Sequence, residues 1–250
     1  MIAAGTWQTV AVCSRFVSGR LAAELAAGAG ATVPEGAVLP ERSWNVAPTD
    51  TVSVVVDRLV EGELRRELHP ARWGLITPWA TDAPAGAPLV NARIETVAGK
   101  PSFADAVRKR RCVVLADGYY EWRREAGRKQ PYYIHPNDGG LMLFAGLYGW
   151  WKDPRLDKNS SQRWLLTACI LTHSPIAALA DLHDRAPVSL DRGALDEWLQ
   201  PHPGEDVAGL LAHVQEVAGR VAASWSWSPV SAAVGAVSNN GPALIAPLAA

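Results

Sequence analysis

Apolar runs broken by glycine, proline and charge dominate the chain, and most have the length and composition of strands. Residues 52–59 are valine-rich and read as a strand, Glu61 and Gly62 supply a turn, and residues 64–68 return. The apolar run 112–116 predicts a buried strand, Asp117-Gly118 a bend, and 119–122 an extended continuation ahead of a charged turn at 125–129. Two more strands, 131–135 and 141–148, flank a turn at 137–140, and another spans 164–171. Helical stretches lie between them. Alanine-rich 20–31 stops near Gly28 or Gly30, and 102–110 takes Ser102 as its N-cap and ends on basic residues that suit the helix dipole. Residues 175–182, 192–199 and 206–217 complete the set, with 187–190 extended. Residues 33–42 and the Ala/Pro/Gly-rich 81–88 read as loops, and polar 153–162 as a mobile one.

Strands and helices do not alternate strictly, which argues against a parallel doubly wound sheet. The pattern predicts an α+β fold: a single domain with a mostly antiparallel, barrel-like sheet flanked by helices. No internal repeat or linker divides the 250 residues.

Composition changes this picture little. Apolar residues make up 48% and charged residues 20%, as expected of a globular chain with a sizeable core. The net charge of −1 excludes a global basic footprint but leaves room for a local basic groove, since 24 Lys and Arg must be placed. No run approaches the roughly 18 apolar residues of a membrane span, and residues 1–12 lack the basic start of a signal peptide. The cysteines Cys13, Cys112 and Cys169 match neither a disulfide framework nor zinc spacing, which points to a reducing cytoplasm. No ligand cluster or phosphate loop implies a metal or cofactor. Eleven tryptophans are many for this length, and indole is both a core side chain and a surface on which unpaired bases stack.

Four short segments carry polar groups where a core element should be apolar: Cys13-Ser14-Arg15-Phe16, Asn91-Ala92-Arg93-Ile94-Glu95-Thr96, Gly118-Tyr119-Tyr120-Glu121-Trp122 and Leu182-His183-Asp184-Arg185-Ala186-Pro187. Together they hold a thiol, an amide, a carboxylate, an imidazole and guanidinium groups, an inventory for a nucleophile, an acid/base pair and anion clamps. Each also has an ordinary explanation: a buried small thiol, a strand-end charge, a helix-end histidine, a turn asparagine, surface arginines. Spacing alone does not bring the segments together, and the residues by themselves reach only a thiol enzyme with an anionic ligand.

The ordered set of segments resembles the SOS-response-associated peptidase family. So do Trp44-Asn45-Val46-Ala47-Pro48-Thr49, Trp73-Gly74-Leu75-Ile76-Thr77-Pro78-Trp79, Phe144-Ala145-Gly146-Leu147-Tyr148 and the terminal Ser228-Pro229-Val230-Ser231. The resemblance covers nearly all of 13–247 and implies a protein that traps abasic sites in single-stranded DNA in the DNA damage response. In the family the cysteine becomes the mature N-terminus. A terminal cysteine offers an α-amine and a thiol on adjacent carbons, so the opened sugar aldehyde closes into a thiazolidine. On this resemblance Cys13 is the covalent residue, Asn91 orients it, Glu121 is the acid/base and His183 shuttles protons. Arg15, Arg93 and Arg185 clamp phosphates. Asn45 and Trp79 line the DNA path, and Thr172 assists near the site. The resemblance further implies no cofactor, a monomer, no membrane partner and a cytoplasmic, nucleoid-associated location. A thiol (auto)peptidase and a non-covalent single-stranded DNA-binding module are the alternatives.

The sequence departs from the family at its start: twelve residues precede Cys13, and with them attached the α-amine is absent. Residues 1–12 are therefore expected to be an extension to a domain spanning 13–250, through a misassigned start at Val12 or, less simply, a propeptide removed by self-cleavage. Ser14 stands where the family carries glycine and Ala186 where it carries methionine, small changes that remove no chemistry.

Overall fold

A computed structural model describes residues 13–82, 88–125, 127–160, 163–201 and 206–248. The expected extension 1–12 and parts of the expected loops 81–88 and 153–162 lie outside the described residues.

Two sheets carry the architecture. The first orders β13 (Trp225–Pro229), β8 (Arg128–Pro136), β7 (Gly118–Glu125), β1 (Phe16–Ser18) and β2 (Ser43–Val46) side by side, each pair antiparallel. The second runs β11 (Ala186–Pro187), β10 (Trp164–His173), β4 (Glu63–Trp73), β3 (Thr51–Val60), β6 (Arg111–Ala116), β9 (Met142–Lys152), β12 (Ser189–Leu190). A further pairing of β9 with β10 closes β10-β4-β3-β6-β9 into a five-stranded barrel. The ladders are antiparallel except where β10 lies parallel to β4 and to β5 (Asn91–Arg93). The α+β class and the barrel-like, mostly antiparallel sheet are thus as the sequence pattern predicts.

Strand alternation sorts the core into two layers. Val55, Val113, Leu115 and Leu147 face the helices α1 (Ala22–Ala29), α2 (Pro101–Lys109), α4 (Arg192–Leu199) and α5 (Val207–Ala222), meeting Leu25, Val107, Trp198 and Val214. Their neighbours Val54, Val114 and Phe144 face the first sheet instead, packing with Phe16, Tyr119, Ile134 and Trp225. Phe16 sets its ring edge-on to Trp73 at 5.0 Å, which fastens β1 against the barrel. Each such fully buried side chain contributes about 1.5–3 kcal/mol. A third, smaller layer of Tyr120, Tyr133, Val230, Val234 and Leu244 seats the C-terminal segment on the outer face of the first sheet.

Local chemistry explains most boundaries. Asp191 and Asp206 cap α4 and α5 by accepting backbone N–H groups from Ala194 at 2.9 Å and Gly209 at 2.7 Å. α1 stops where Gly30 turns left-handed at φ 64°. One expected cap is corrected: Pro101 occupies the first turn of α2, so Lys100 is the N-cap and Ser102 lies inside the helix. The short strands β1, β2, β5 and β13 are not predicted by periodicity, because three to five residues hold too few alternations to register. α3 (Ala177–Ala180) is shorter than the expected 175–182, and α5 is longer than the expected 206–217. No helix among the described residues is long and apolar enough to cross a membrane.

Candidate active site at the start of the first strand

The site is built by the pairing of β1 with β7. Phe16 opposes Tyr119 and Val17 opposes Gly118, and the Tyr120 N–H donates to the Arg15 carbonyl at 3.0 Å. That register carries the chain upstream of Phe16 back past Glu121. Gly118 permits it: a Cβ there would lie 2.5 Å from the Ile134 carbonyl oxygen and from the Tyr133 ring, so β7 could not approach β8 with any other residue. Cys13 ends fully buried, and its backbone N–H donates to Glu121 Oε1 at 2.7 Å.

Electrostatics at this pair are unusual. Burial raises the Glu121 carboxyl to about 8, a shift that the Cys13 and Trp122 backbone N–H groups oppose and the Asp184 charge reinforces. Burial, and then the Glu121 charge, push the Cys13 thiol well up, so it is a protonated thiol near neutrality. Tyr119 feels both groups and is itself pushed up, chiefly by burial. The centre therefore holds a carboxyl that exchanges protons near neutral pH, next to a backbone nitrogen and an un-ionised thiol.

The segment after α3 forms a wall close enough for the Asp184 charge to act on Glu121. Thr172 pairs with Pro187 and His173 with Ala186, which returns residues 183–187 to the end of β10. His183 Nδ1 lies 2.8 Å from Asp184 Oδ1 and 3.1 Å from the Arg185 backbone nitrogen. One Nδ1 cannot donate to the carboxylate and accept from the N–H together. Burial lowers the His183 pKa, outweighing the Asp184 charge, so the neutral ring accepting from Arg185 and carrying its proton on Nε2 is the state we assign.

Arg93, Thr172 and Arg185 form a second group beside this wall. β5 lies parallel to β10 with Asn91 opposite Ile170 and Arg93 opposite Thr172. Arg185 grips Glu95 through two bonds of 2.9 and 2.8 Å and donates to the Thr172 carbonyl at 2.6 Å. Burial acts upward on Glu95, but the Arg185 bonds outweigh it and its pKa falls. Arg93 is exposed at the end of β5, Asn91 is half-buried at its head, and the Thr172 side chain is buried.

The remaining expected residues sit differently. Arg15 Nη1 donates to Asn45 Oδ1 at 2.8 Å and to the Val234 carbonyl at 2.9 Å, while Nη2 reaches the Gly235 carbonyl at 3.2 Å. Asn45, itself buried, donates to the carbonyls of Val234, Ala236 and Asn239. The two residues interlock to hold the C-terminal segment. Trp79 stands in an exposed turn after β4. Sequence reasoning did not single out Glu95, Asp184 or Tyr119 individually, although all three lie inside the segments quoted for the site. Among the described residues no group of His, Cys, Asp and Glu is arranged to hold a metal ion.

A model of the SOS response associated peptidase (SRAP) family matches residues 12–237. The chain belongs to that family. Among SRAP relatives it is 39% identical over 170 residues to the abasic site processing protein YoqW of Bacillus subtilis, covering 68% of this chain and 70% of that one. It is 33% identical over 210 residues to the abasic site processing protein YedK of Escherichia coli, covering 84% and 86%. A crystal structure of a Bacteroides thetaiotaomicron protein shares the fold at a TM-score of 0.76 and 21% identity, over 95% of this chain and all (100%) of that one.

Proposed function

We propose that this SRAP chain, in a form that begins at Cys13, binds single-stranded DNA and traps abasic sites as a covalent thiazolidine, shielding the lesion. One observation carries the reading: the 2.7 Å contact between the Cys13 nitrogen and Glu121 Oε1. In the trimmed protein that nitrogen is an α-amine, whose ordinary pKa is about 8. Glu121 is a buried carboxyl in hydrogen-bond contact with it, placed to take its proton and return one during the reaction.

The chemistry follows from the atoms present. Glu121 takes a proton from the α-ammonium, and the neutral amine attacks C1′ of the ring-opened sugar. The protonated carboxyl then gives its proton to the carbinolamine hydroxyl, which leaves as water and yields the iminium. The Cys13 sulfur adds to the same carbon, and the iminium nitrogen becomes the ring amine as the thiol proton passes to the carboxylate. His183, neutral with its proton on Nε2, is the second donor, facing the leaving sugar oxygen during ring opening. Arg93 and Arg185 face the flanking phosphates.

Two further points favour this over a thiol peptidase. A peptidase nucleophile needs a lowered thiol pKa, and burial drives Cys13 the other way. Cys13 also holds φ at 45°, a left-handed torsion that costs a non-glycine residue roughly 1–2 kcal/mol. That torsion ceases to exist once nothing precedes Cys13. The test is a denaturing gel after mixing an abasic single-stranded oligonucleotide with the chain starting at Cys13, the full chain, and Cys13→Ala. A shifted band from the first alone is expected. A band of equal yield from the full chain with its first residues retained would refute the amine chemistry.

A further inference from the structure

β10 and β4 meet as parallel neighbours at Thr167 opposite Arg72 and Ala168 opposite Trp73. Toward the N-terminal end of β10 the two strands part, and a groove of about 570 Å³ opens between them. Trp150 and Trp164 line it, 46% and 53% exposed. Register puts them on one face: Trp150 opposes Leu166 and Lys152 opposes Trp164. Lys152 Nζ stands 5.3 Å from the Trp164 ring centre, holding the indole beside a cation.

Charge in the groove favours an anion. Arg72 lines it and donates from Nη1 to the Gly74 carbonyl at 3.2 Å, and no carboxylate among the described residues pairs with it. His69 adds a second basic group, although its Nε2 is engaged by Glu67 at 2.9 Å. Glu35 is the one carboxylate among the lining residues. Exposed indoles beside unpaired cations form the surface on which unpaired bases stack while their phosphates are neutralised.

The groove lies at the opposite end of β10 from the Arg93, Thr172 and Arg185 group. Six to eight residues of β10 separate Leu166 and Trp164 from Thr172, a span of about 20–26 Å at the rise of a strand. The connection is short all the same: Thr51 lines the groove, and the preceding Asp50 accepts the Trp73 N–H and contributes to the field at Arg15.

We propose that this groove is a second seat for single-stranded DNA, stacking bases that flank the lesion on Trp150 and Trp164 with Arg72 and Lys152 against their phosphates. It rests on the reading that this chain engages single-stranded DNA, and it adds a subsite that makes affinity depend on strand length. The expected consequence is that an undamaged oligonucleotide of about 20 nucleotides binds more tightly than one of about 3, which cannot span both places.

The test is fluorescence anisotropy with undamaged oligonucleotides of those two lengths, on the chain beginning at Cys13 and on its Trp150→Ala/Trp164→Ala variant. Both indoles are exposed, so the fold should survive, and a thermal melt checks it. Tenfold or greater loss of affinity for the long strand, an unchanged short strand, and recovery in Trp150→Phe/Trp164→Phe support the inference. Unchanged affinity for the long strand, or an equal loss at both lengths, overturns it. The reading of the Cys13 site is scored separately, by the denaturing gel. A length preference lost in the variant without any crosslink sinks that reading and leaves the groove standing. A crosslink without any length preference does the reverse.

Discussion

The backbone nitrogen of Cys13 and Oε1 of Glu121 lie 2.7 Å apart although 108 residues separate them in the chain. The contact joins a nitrogen that is chemically inert as an amide to a carboxyl tuned to about 8 by burial. Its consequences differ according to whether the nitrogen is an amide or an amine, which makes it the sharpest point at which to test the protein.

Glu121→Gln in the chain beginning at Cys13 keeps shape and a hydrogen-bond acceptor but removes proton transfer. Crosslinking to an abasic strand should slow by about 10²–10⁴-fold, while affinity for an undamaged strand stays within about twofold. Timed quenching on denaturing gels, alongside anisotropy, measures both. Parallel loss of rate and affinity would make Glu121 a structural residue.

The same carboxyl predicts how stability depends on pH. Its folded pKa is raised above the ordinary carboxylate value, so between about 4.3 and 8 the folded state holds a proton that the unfolded state has lost. The stabilisation is complete below the unfolded value and disappears as pH rises through about 8. Urea midpoints for the wild type should therefore fall between pH 5 and 8 more steeply than for Glu121→Gln, where this contribution is absent. Parallel pH profiles would show that Glu121 ionises normally in the fold.

Arg93 and Arg185 carry the same charge and should fail differently. Arg93 is exposed on β5, so Arg93→Ala should weaken DNA binding, reduce the salt slope by about 1 and leave stability nearly unchanged. Arg185→Ala strips Glu95 and the Thr172 carbonyl of their donor and should in addition cost about 1–3 kcal/mol of folding stability. Anisotropy over a salt series and urea denaturation separate the two; equal stability losses would contradict the distinction.

Arg15 and Asn45 act as a clasp on the C-terminal segment. Removing either leaves carbonyls near Val234 without donors, so Arg15→Ala and Asn45→Ala should each raise amide hydrogen exchange across residues 232–245. The double variant should lose less than the sum of the singles, because the two share a bond and an acceptor. Strict additivity, with exchange unchanged in that segment, would dismiss the clasp.

Much of this was legible in the chain, and the rest was not for identifiable reasons. The valines of β3, the run of β6 and helix α4 declare themselves because periodicity and caps are local properties. So is the inventory of chemistry: Cys13, Asn91, Glu121 and His183 stand in polar breaks within apolar surroundings. The family resemblance adds their roles, and membership is borne out by the match over residues 12–237. The partners of those residues are less legible. Nothing in the spacing of Arg15 and Asn45 indicates that they spend their donors on the carbonyls of Val234 to Asn239, some 190 to 220 residues away.

The sequence by itself determined which groups are available, the alternation that splits valines such as Val54 and Val55 between two cores, and the glycine at 118 that lets β7 meet β8. Only the tertiary structure decided the proton affinities and the company each group keeps. Cys13 is buried in one core layer with Trp73 and Tyr119, and Glu121 is buried against its backbone nitrogen, contacts that come from strands remote from Cys13 in the chain. A carboxyl near 8 is a property of surroundings rather than of a residue type, which is why no stretch of sequence states it.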